Sequence, residues 1–403
     1  MADRLTVIVA ARDEEATIGG AVEALRRAFP EADVIVADDG SLDGTIAVAE
    51  RAGARVLSLP RRGKGQALTE AERTAAAGPL LLCDADLRGD LTPLADAGAD
   101  VAVAVFERRR GGGFGIAKGV ARSIVRNRTG YEPREPLSGQ RALSPAARAV
   151  CFPLAAGFGC ETRMTLDALA AGLDYREVDL DLRHRATGRD ASGFLHRGRQ
   201  LLHILLAAGP LAVNHRGLRL PVVGWLVGVR RSPVVAAVAA LGLADDLWSG
   251  PERGVRAHLA RGRTTGVLKL LGIPAAGLIA TRRLSGALLV GLAANALNQL
   301  DTKPGRALKA YAAAALAVDA PLGTAVLLAP YDLREMTMLG DAGANALGAL
   351  LGLSSVSRFT GKGRWMAIAA LAGLNLLGER QSLGELIERT PGLREFDRWG
   401  RPA

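Results

Sequence analysis

The chain has 403 residues, 49% of them hydrophobic and 23% charged, with a formal net charge of +10. That length leaves room for two domains. The positive balance suits anionic partners: a membrane surface and phosphorylated substrates account for it without nucleic acid, for which 4% aromatics and the motif content give no support.

Met1-Ala2-Asp3-Arg4 runs straight into the apolar strand Thr6–Ala11, so no signal peptide is expected and the N-terminal half is expected to stay cytosolic. Asp13-Glu14-Glu15 then opens a helix to about Phe29, with acidic residues in its first turn complementing the dipole. A second strand, Val34-Ile35-Val36-Ala37, ends in the turn Asp38-Asp39-Gly40-Ser41-Leu42-Asp43-Gly44-Thr45, after which residues 46–52 continue as helix. A third, Arg55-Val56-Leu57-Ser58-Leu59, precedes Arg61-Arg62-Gly63-Lys64-Gly65. A fourth, Leu80-Leu81-Leu82-Cys83, delivers Asp84-Ala85-Asp86 at its C-terminal end. Strand–helix alternation at this spacing predicts an α/β fold with a doubly wound, mostly parallel sheet. The polar clusters converge on the rim where such sheets bind ligands. Two carboxylates on alternate residues can grip a hard divalent cation, which in turn can hold a diphosphate.

Each of these residues also has a plainer reading. Glu14 serves equally as a partner for the helix dipole, and Asp38 and Asp43 as turn and cap residues. Lys64 between two glycines is either a solvated loop charge or an ammonium able to approach phosphate closely. Cys83, Cys151 and Cys160 are too few and scattered for a disulfide framework or a thiolate metal site, which fits a reducing cytosol.

Taken in order, Val7 to Ile18, the Asp38–Thr45 turn, Gly63-Lys64-Gly65 and Asp84-x-Asp86 resemble the family-2-like glycosyltransferases with the GT-A fold. The resemblance implies that Glu14 and Asp39 bind the nucleoside, that Lys64 lies near the diphosphate, and that Asp84 and Asp86 reach the metal and ribose. Further along, Pro136-Leu137-Ser138-Gly139-Gln140-Arg141, Gly157-Phe158-Gly159-Cys160-Glu161 and Leu182-Arg183-His184-Arg185 to Asp190 are similar to glucosyl-3-phosphoglycerate synthase-like transferases. They imply an acceptor loop at Ser138 and Gly139, a catalytic segment at Glu161 working with Asp86, and His184 completing a Mg²⁺ or Mn²⁺ site. Arg183, Arg185 and Arg189 form a basic cluster suited to phosphate, or simply a solvated loop. Glu161 reads alternatively as the N-terminal acid of a helix over 162–171. Gly111-Gly112-Gly113-Phe114-Gly115 reads as a mobile loop on the acceptor side.

After about Gln200 the composition turns to Ala, Leu, Gly and Val, with uncharged stretches at 232–244, 284–300, 342–357 and 365–378. Each is shorter than the roughly 20 residues needed to cross a bilayer perpendicularly, but their number and Gly/Ala richness predict an all-α, multi-pass membrane bundle. Asp245-Asp246, Lys269, Asn295-x-x-Asn298-x-x-Asp301 and Gly340-Asp341 resemble, in that order, the polyprenyl-phosphate N-acetylhexosamine-1-phosphate transferases. That resemblance implies a second cation and sugar-nucleotide site at Asp245, Asp246, Lys269, Asn298, Asp301 and Asp341; the alternative is helix caps at a membrane surface. The region departs from the family in having Pro304 where another Asp would stand, and in lacking a His-rich loop. If Asp301 and Asp341 share one face, the chain between Lys309 and Asp332 must form two very short helices or a re-entrant pair. The tail is expected to carry an amphipathic helix, Ser382–Arg389, ended by Pro391.

The organisation expected is a GT-A domain over 1–200, a membrane helical domain over 201–378 and a cytosolic tail over 379–403. The function expected is metal-dependent sugar transfer from a nucleotide sugar to a phosphorylated or polyprenyl-phosphate acceptor, at a cell membrane with the catalytic domain cytoplasmic and membrane lipids as partners. The alternatives are a bifunctional enzyme also transferring sugar-1-phosphate, and a non-catalytic sugar-nucleotide scaffold.

Overall fold

A computed structural model describes residues 4–86, 88–106, 115–182, 191–214, 216–229, 232–248 and 265–401, without the side chains of 191–197 and 248. The chain divides into two compact units, residues 1–209 with 217–219, and residues 210–216 with 220–403.

The first unit is built on a seven-stranded sheet in the order β3-β2-β1-β4-β6-β5-β7. The strands are β1 (Thr6–Ala11), β2 (Asp33–Asp38), β3 (Arg55–Ser58), β4 (Leu80–Asp84), β5 (Val101–Phe106), β6 (Arg141–Leu143) and β7 (Tyr175–Leu180). The β3-β2-β1-β4 block is parallel, as is β5 with β7, whereas β6 runs antiparallel between β4 and β5. Side chains alternate between faces along each strand. Val7, Val9, Val34, Val36 and Leu81 therefore meet α1 (Ile18–Ala28) and α2 (Thr45–Arg51) on one side. Ile8, Ile35, Leu80 and Leu82 meet α3 (Lys64–Thr74) on the other. Burial on both faces explains the near-continuous apolar runs of these strands. The helices that follow are α4 (Thr92–Ala95), α5 (Ile116–Thr129), α6 (Pro145–Cys151), α7 (Cys160–Ala170) and α8 (Ala191–Ala208).

One expectation fails here. The first helix begins at Ile18, and no acidic residue occupies its first turn. Asp13 instead takes a left-handed backbone, φ 54°. Residues 13–15 bond across to the turn after β2, because their carboxylates and amides find partners there.

The second unit begins with two short strands, β8 (Leu211–Val213) and β9 (Arg219–Pro221), whose first residue belongs to the first unit. Its helices are α9 (Pro233–Trp248), α10 (Thr265–Thr281), α11 (Leu284–Leu300), α12 (Arg306–Val318), α13 (Gly323–Asp332), α14 (Gly340–Arg358) and α15 (Gly361–Arg380). Two more, α16 (Leu383–Arg389) and α17 (Pro391–Arg398), form the tail. Among the described residues no helix is long and apolar enough to cross a membrane. The expected spanning bundle is corrected on that point: α11 has 17 residues, about 26 Å of helix, while α15 reaches 20 residues only by including Lys362, Arg364, Glu379 and Arg380. Two short helices, α12 and α13, do separate Asp301 from Asp341, with the chain reversing at Asp319, φ 60°. Ser382 caps α16 through its hydroxyl. Pro391 stops that helix and also starts α17, since proline lacks the amide that a first helical turn leaves unbonded.

Helix α14 packs so tightly on its neighbours that small residues are required. A Cβ on Gly348 would lie 2.3 Å from the Ala294 Cα, and one on Gly352 would lie 2.5 Å from the Val290 Cα. Gly348→Ala should therefore lose about 1–3 kcal/mol of stability through the backbone clash, despite the gain of about 1 kcal/mol in helix propensity. Chemical denaturation of the full chain measures the difference, and a stabilised variant would contradict this packing.

Candidate active site

The β1–α1 loop and the turn after β2 are laced together by reciprocal hydrogen bonds. Leu42 N donates to Asp13 Oδ1 at 2.9 Å, Asp13 N to Ser41 Oγ at 2.9 Å, Glu14 N to Thr45 Oγ1 at 2.8 Å, and Gly44 N to Glu15 Oε2 at 3.0 Å. This lacing fixes Glu14, half-buried, whose Oε2 accepts from Thr17 Oγ1 at 2.7 Å. Asp38 accepts from Ser41 N and Oγ, and Asp43 from Thr45 N at 3.0 Å, so both hold the turn that leads into α2. Asp39 is different. It is buried and reaches across to the next loop, accepting from Arg62 N at 2.7 Å and Gly63 N at 2.8 Å. Burial pushes its carboxyl above the usual range, opposed by those two backbone donors.

Gly63, φ 102°, turns the chain into α3, whose first residue is Lys64. The Lys64 ammonium lies 2.6 Å from Asp84 Oδ1 and 2.7 Å from Glu161 Oε1. Burial alone would lower its pKa, but Asp84 and Glu161 outweigh that and hold it well above its ordinary value. Gln140 clamps Asp84 from the far side: its Oε1 accepts from Asp84 N at 3.0 Å and its Nε2 donates to Asp84 Oδ2 at 3.1 Å. Gly139 lies against both partners, since a Cβ there would sit 2.4 Å from Asp84 Oδ2 and 2.6 Å from Lys64 Nζ. Ser138 is buried, and its Oγ has no hydrogen-bond partner among the described residues. Beneath this loop Arg141, fully buried, donates to Ser138 O at 2.9 Å, Pro136 O at 3.3 Å and Thr165 Oγ1 at 3.0 Å. Glu161 stands in the first turn of α7 and accepts from Cys160 Sγ through Oε2 at 3.1 Å.

Four sequence-derived residues, Lys64, Asp84, Gly139 and Glu161, thus meet at one point, with Asp39 anchoring the loop that leads into Lys64. Asp86 is half-buried two residues beyond Asp84. His184 and Arg185 lie outside the described residues, as do Arg183, Arg189 and residues 111–114. Among the described residues no group of three His, Cys, Asp or Glu is arranged to hold a metal ion. Gln140 and Arg141 lie inside the acceptor-loop motif, but their amide and guanidinium roles emerge only in three dimensions.

In the second unit Lys269 Nζ lies 2.5 Å from Asp245 Oδ2 and also pairs with Asp341 Oδ2. Asp246 accepts from the backbone amides of Asp341 and Ala342, both at 2.9 Å, and so caps α14. Asp301 completes the group: burial, then Asp332, Asp341 and Asp246, push its carboxyl well up. Asp332 has no signal in the sequence. It is buried and accepts from Gly305 N at 2.6 Å and Leu339 N at 3.1 Å, holding the loops beside Asp301 and Asp341. Asn298 contributes its carbonyl to Asp301 N at 3.1 Å, while its Oδ1 makes no hydrogen bond among the described residues.

Residues 6–134 match the model of Glycosyl transferase family 2. The chain is 32% identical over 174 residues to Glycosyltransferase AglJ of Haloferax volcanii, covering 40% of this chain and 57% of that protein. It is 33% identical over 82 residues to Protein RfbJ of Shigella flexneri, covering 20% of this chain and 64% of that one. It thus spans less than two thirds of either curated relative. Among solved structures, glucosyl-3-phosphoglycerate synthase from Mycobacterium tuberculosis in complex with phosphoglyceric acid is 27% identical with a TM-score of 0.44, covering 51% of this chain and 79% of that one. The family 2 segment ends at residue 134, well before the second unit and its acidic cluster begin.

Lys64→Met should leave Asp84 and Glu161 facing each other without a counter-charge, at a cost of about 1–3 kcal/mol, discounted for the partial exposure of Asp84. Melting temperatures of both proteins test it; an unchanged melting temperature counts against the ion pairs.

Proposed function

We propose that this chain transfers a sugar from a nucleotide donor to a phosphorylated acceptor, with the first unit as the transferase. The observation carrying this reading is the Lys64 ammonium drawn between Asp84 and Glu161, where Lys64 and Asp84 belong to the segment matching family 2 glycosyl transferases and Asp84 ends a strand of the parallel block. Two of the three ammonium hydrogens meet carboxylates; the third, and the charge itself, suit a diphosphate oxygen. Glu14 and Asp39, on neighbouring laced turns, are assigned to the nucleoside. Ser138 and Gly139 are assigned to the acceptor, with Arg185 to a phosphate.

Asp84 and Asp86 offer hard oxygen donors that fit Mg²⁺ or Mn²⁺, and His184 is assigned as a third ligand. When bound, such an ion would offset charge on the departing nucleoside diphosphate. In the reaction the bond from the anomeric carbon to the diphosphate oxygen breaks and a bond from the acceptor oxygen forms. Lys64 orients the diphosphate, and Glu161 steadies charge developing at the reacting centre. Gln140 keeps Asp84 in one orientation throughout.

The second unit supports a lipid-borne acceptor such as polyprenyl phosphate. It carries 22 Lys and Arg against 13 Asp and Glu, nearly all of the chain's excess positive charge. It also exposes large apolar side chains, including Ile279 (75%) and Leu316 (76%), a combination that favours an anionic lipid surface. Purified protein incubated with a panel of nucleotide sugars and Mn²⁺ or Mg²⁺ should release nucleoside diphosphate from one of them, with either a small phosphorylated acid or polyprenyl-phosphate vesicles as acceptor. Asp84→Ala should lower that rate at least about a hundredfold; unchanged transfer would falsify the assignment.

A second reading, sugar-1-phosphate transfer by the second unit, is favoured by the convergence of Asp245, Asp341 and Lys269 beside Asp246 and Asp301. Pro304 stands against it as the family departure. Asp341→Asn should abolish nucleoside monophosphate release in the presence of polyprenyl phosphate while sparing diphosphate release. If both products persist, the second unit has no part in chemistry.

A further inference from the structure

Glu161 is delivered by a single 3₁₀ turn, Gly157–Gly159, that runs directly into α7. This turn is clamped on both sides. Toward α3, a Cβ on Gly65 would sit 1.9 Å from Ala155 O, and Gly63 lies within 3.5 Å of Gly157 by the same measure. Toward α8 the contact is made by His203. Phe158 N donates to His203 Nδ1 at 3.2 Å, and the two rings stack with centroids 5.6 Å apart and planes at 23°. Gly157, φ 67°, leaves no room for a side chain, since a Cβ would sit 2.3 Å from His203 Nδ1; at Gly159 it would sit 2.4 Å from His203 O and from Ala207 Cβ. A backbone N–H can only donate, so Nδ1 is the acceptor and the ring proton resides on Nε2.

We propose that His203 is a positioning residue: as a neutral imidazole it holds the Gly157–Gly159 turn, and through it sets Glu161 against Lys64. The inference rests on the transferase reading for its consequence, though the hold itself is a property of the fold. His203 bonds the Phe158 amide, and α7, which carries Glu161, follows that turn directly, so its influence passes through the backbone of the turn. Without the acceptor, the Phe158 amide loses its bond beneath a segment whose two glycines make it intrinsically loose. Glu161 would then sample positions away from the ammonium. That loss should act on turnover rather than on donor affinity, because Glu14 and Asp39 are anchored by the separate lacing of the β1 and β2 loops.

The test compares His203→Leu with His203→Asn in the full chain, since the Asn Oδ1 can take the place of Nδ1 as acceptor. His203→Leu should lower kcat about tenfold or more with donor KM changed less than about threefold. His203→Asn should recover most of that loss. Amide hydrogen exchange over 157–161 should rise in His203→Leu and stay near the parent level in His203→Asn. The exchange measurement needs no turnover, so it judges the hold even if no donor is accepted and the transferase reading falls. Unaltered exchange in His203→Leu, or an equal loss in both variants, overturns the inference.

Discussion

A lysine ammonium shared by two carboxylates from distant segments is the constraint around which the first unit is organised. Lys64 opens α3, Asp84 ends β4 and Glu161 sits in the first turn of α7, and nothing but the fold brings them together. Removing such charges from water costs several kcal/mol per ion unless geometry and additional hydrogen bonds repay it. Here the repayment is visible. Gln140 grips Asp84 at both its amide and its carboxylate, and Cys160 donates to Glu161. Gly139 is bare because any side chain would occupy the space of the ion pair.

The same constraint shows why some of the site was legible in sequence. β1, β2, β3 and β4 stand where apolar runs predicted them, because β1, β2 and β4, buried on both faces, admit few polar residues, and the edge strand β3 keeps Val56 and Leu57 between its exposed ends. Their polar ends had to fall on one rim once the strands were parallel. Asp13 and Glu15 are not the helix-opening acids that local propensity makes them, since propensity cannot foresee a partner loop 28 or 29 residues away. His203 is invisible in sequence for a similar reason: a histidine among the leucines of a helix carries no signal until the Gly157 turn is seen beneath it. Arg141 lies within the acceptor-loop motif, yet a fully buried guanidinium bonded to carbonyls is not deducible from spacing.

In the second unit, chain-length arithmetic proved more informative than hydropathy. If Asp301 and Asp341 share a face, the chain between them has room only for two very short helices or a re-entrant pair, and two helices of 13 and 10 residues, α12 and α13, lie there. Hydropathy pointed to spanning segments because Gly and Ala raise apolar content without lengthening a helix. The glycines serve a different end. At Gly348, Gly352 and Gly242 they let α14 approach α11 and α9 to backbone contact, and this close approach brings Asp246 onto the N-terminus of α14.

Both units therefore use one device, a lysine between two acids, but with different charge balance. Around Lys64 the acids number two; Lys269 likewise pairs with Asp245 and Asp341, but Asp246 stands beside Asp341, and Asp301 feels the charges of Asp332, Asp341 and Asp246 in turn. Fully ionised, the second group would repel itself, and the strain appears as retained protons: burial, with Asp341 beside it, pushes Asp246 up to about 7, and burial pushes Asp332 up to about 6. Carboxylates raised in this way favour the folded state below about pH 4 and lose that contribution as pH climbs through 6 and 7.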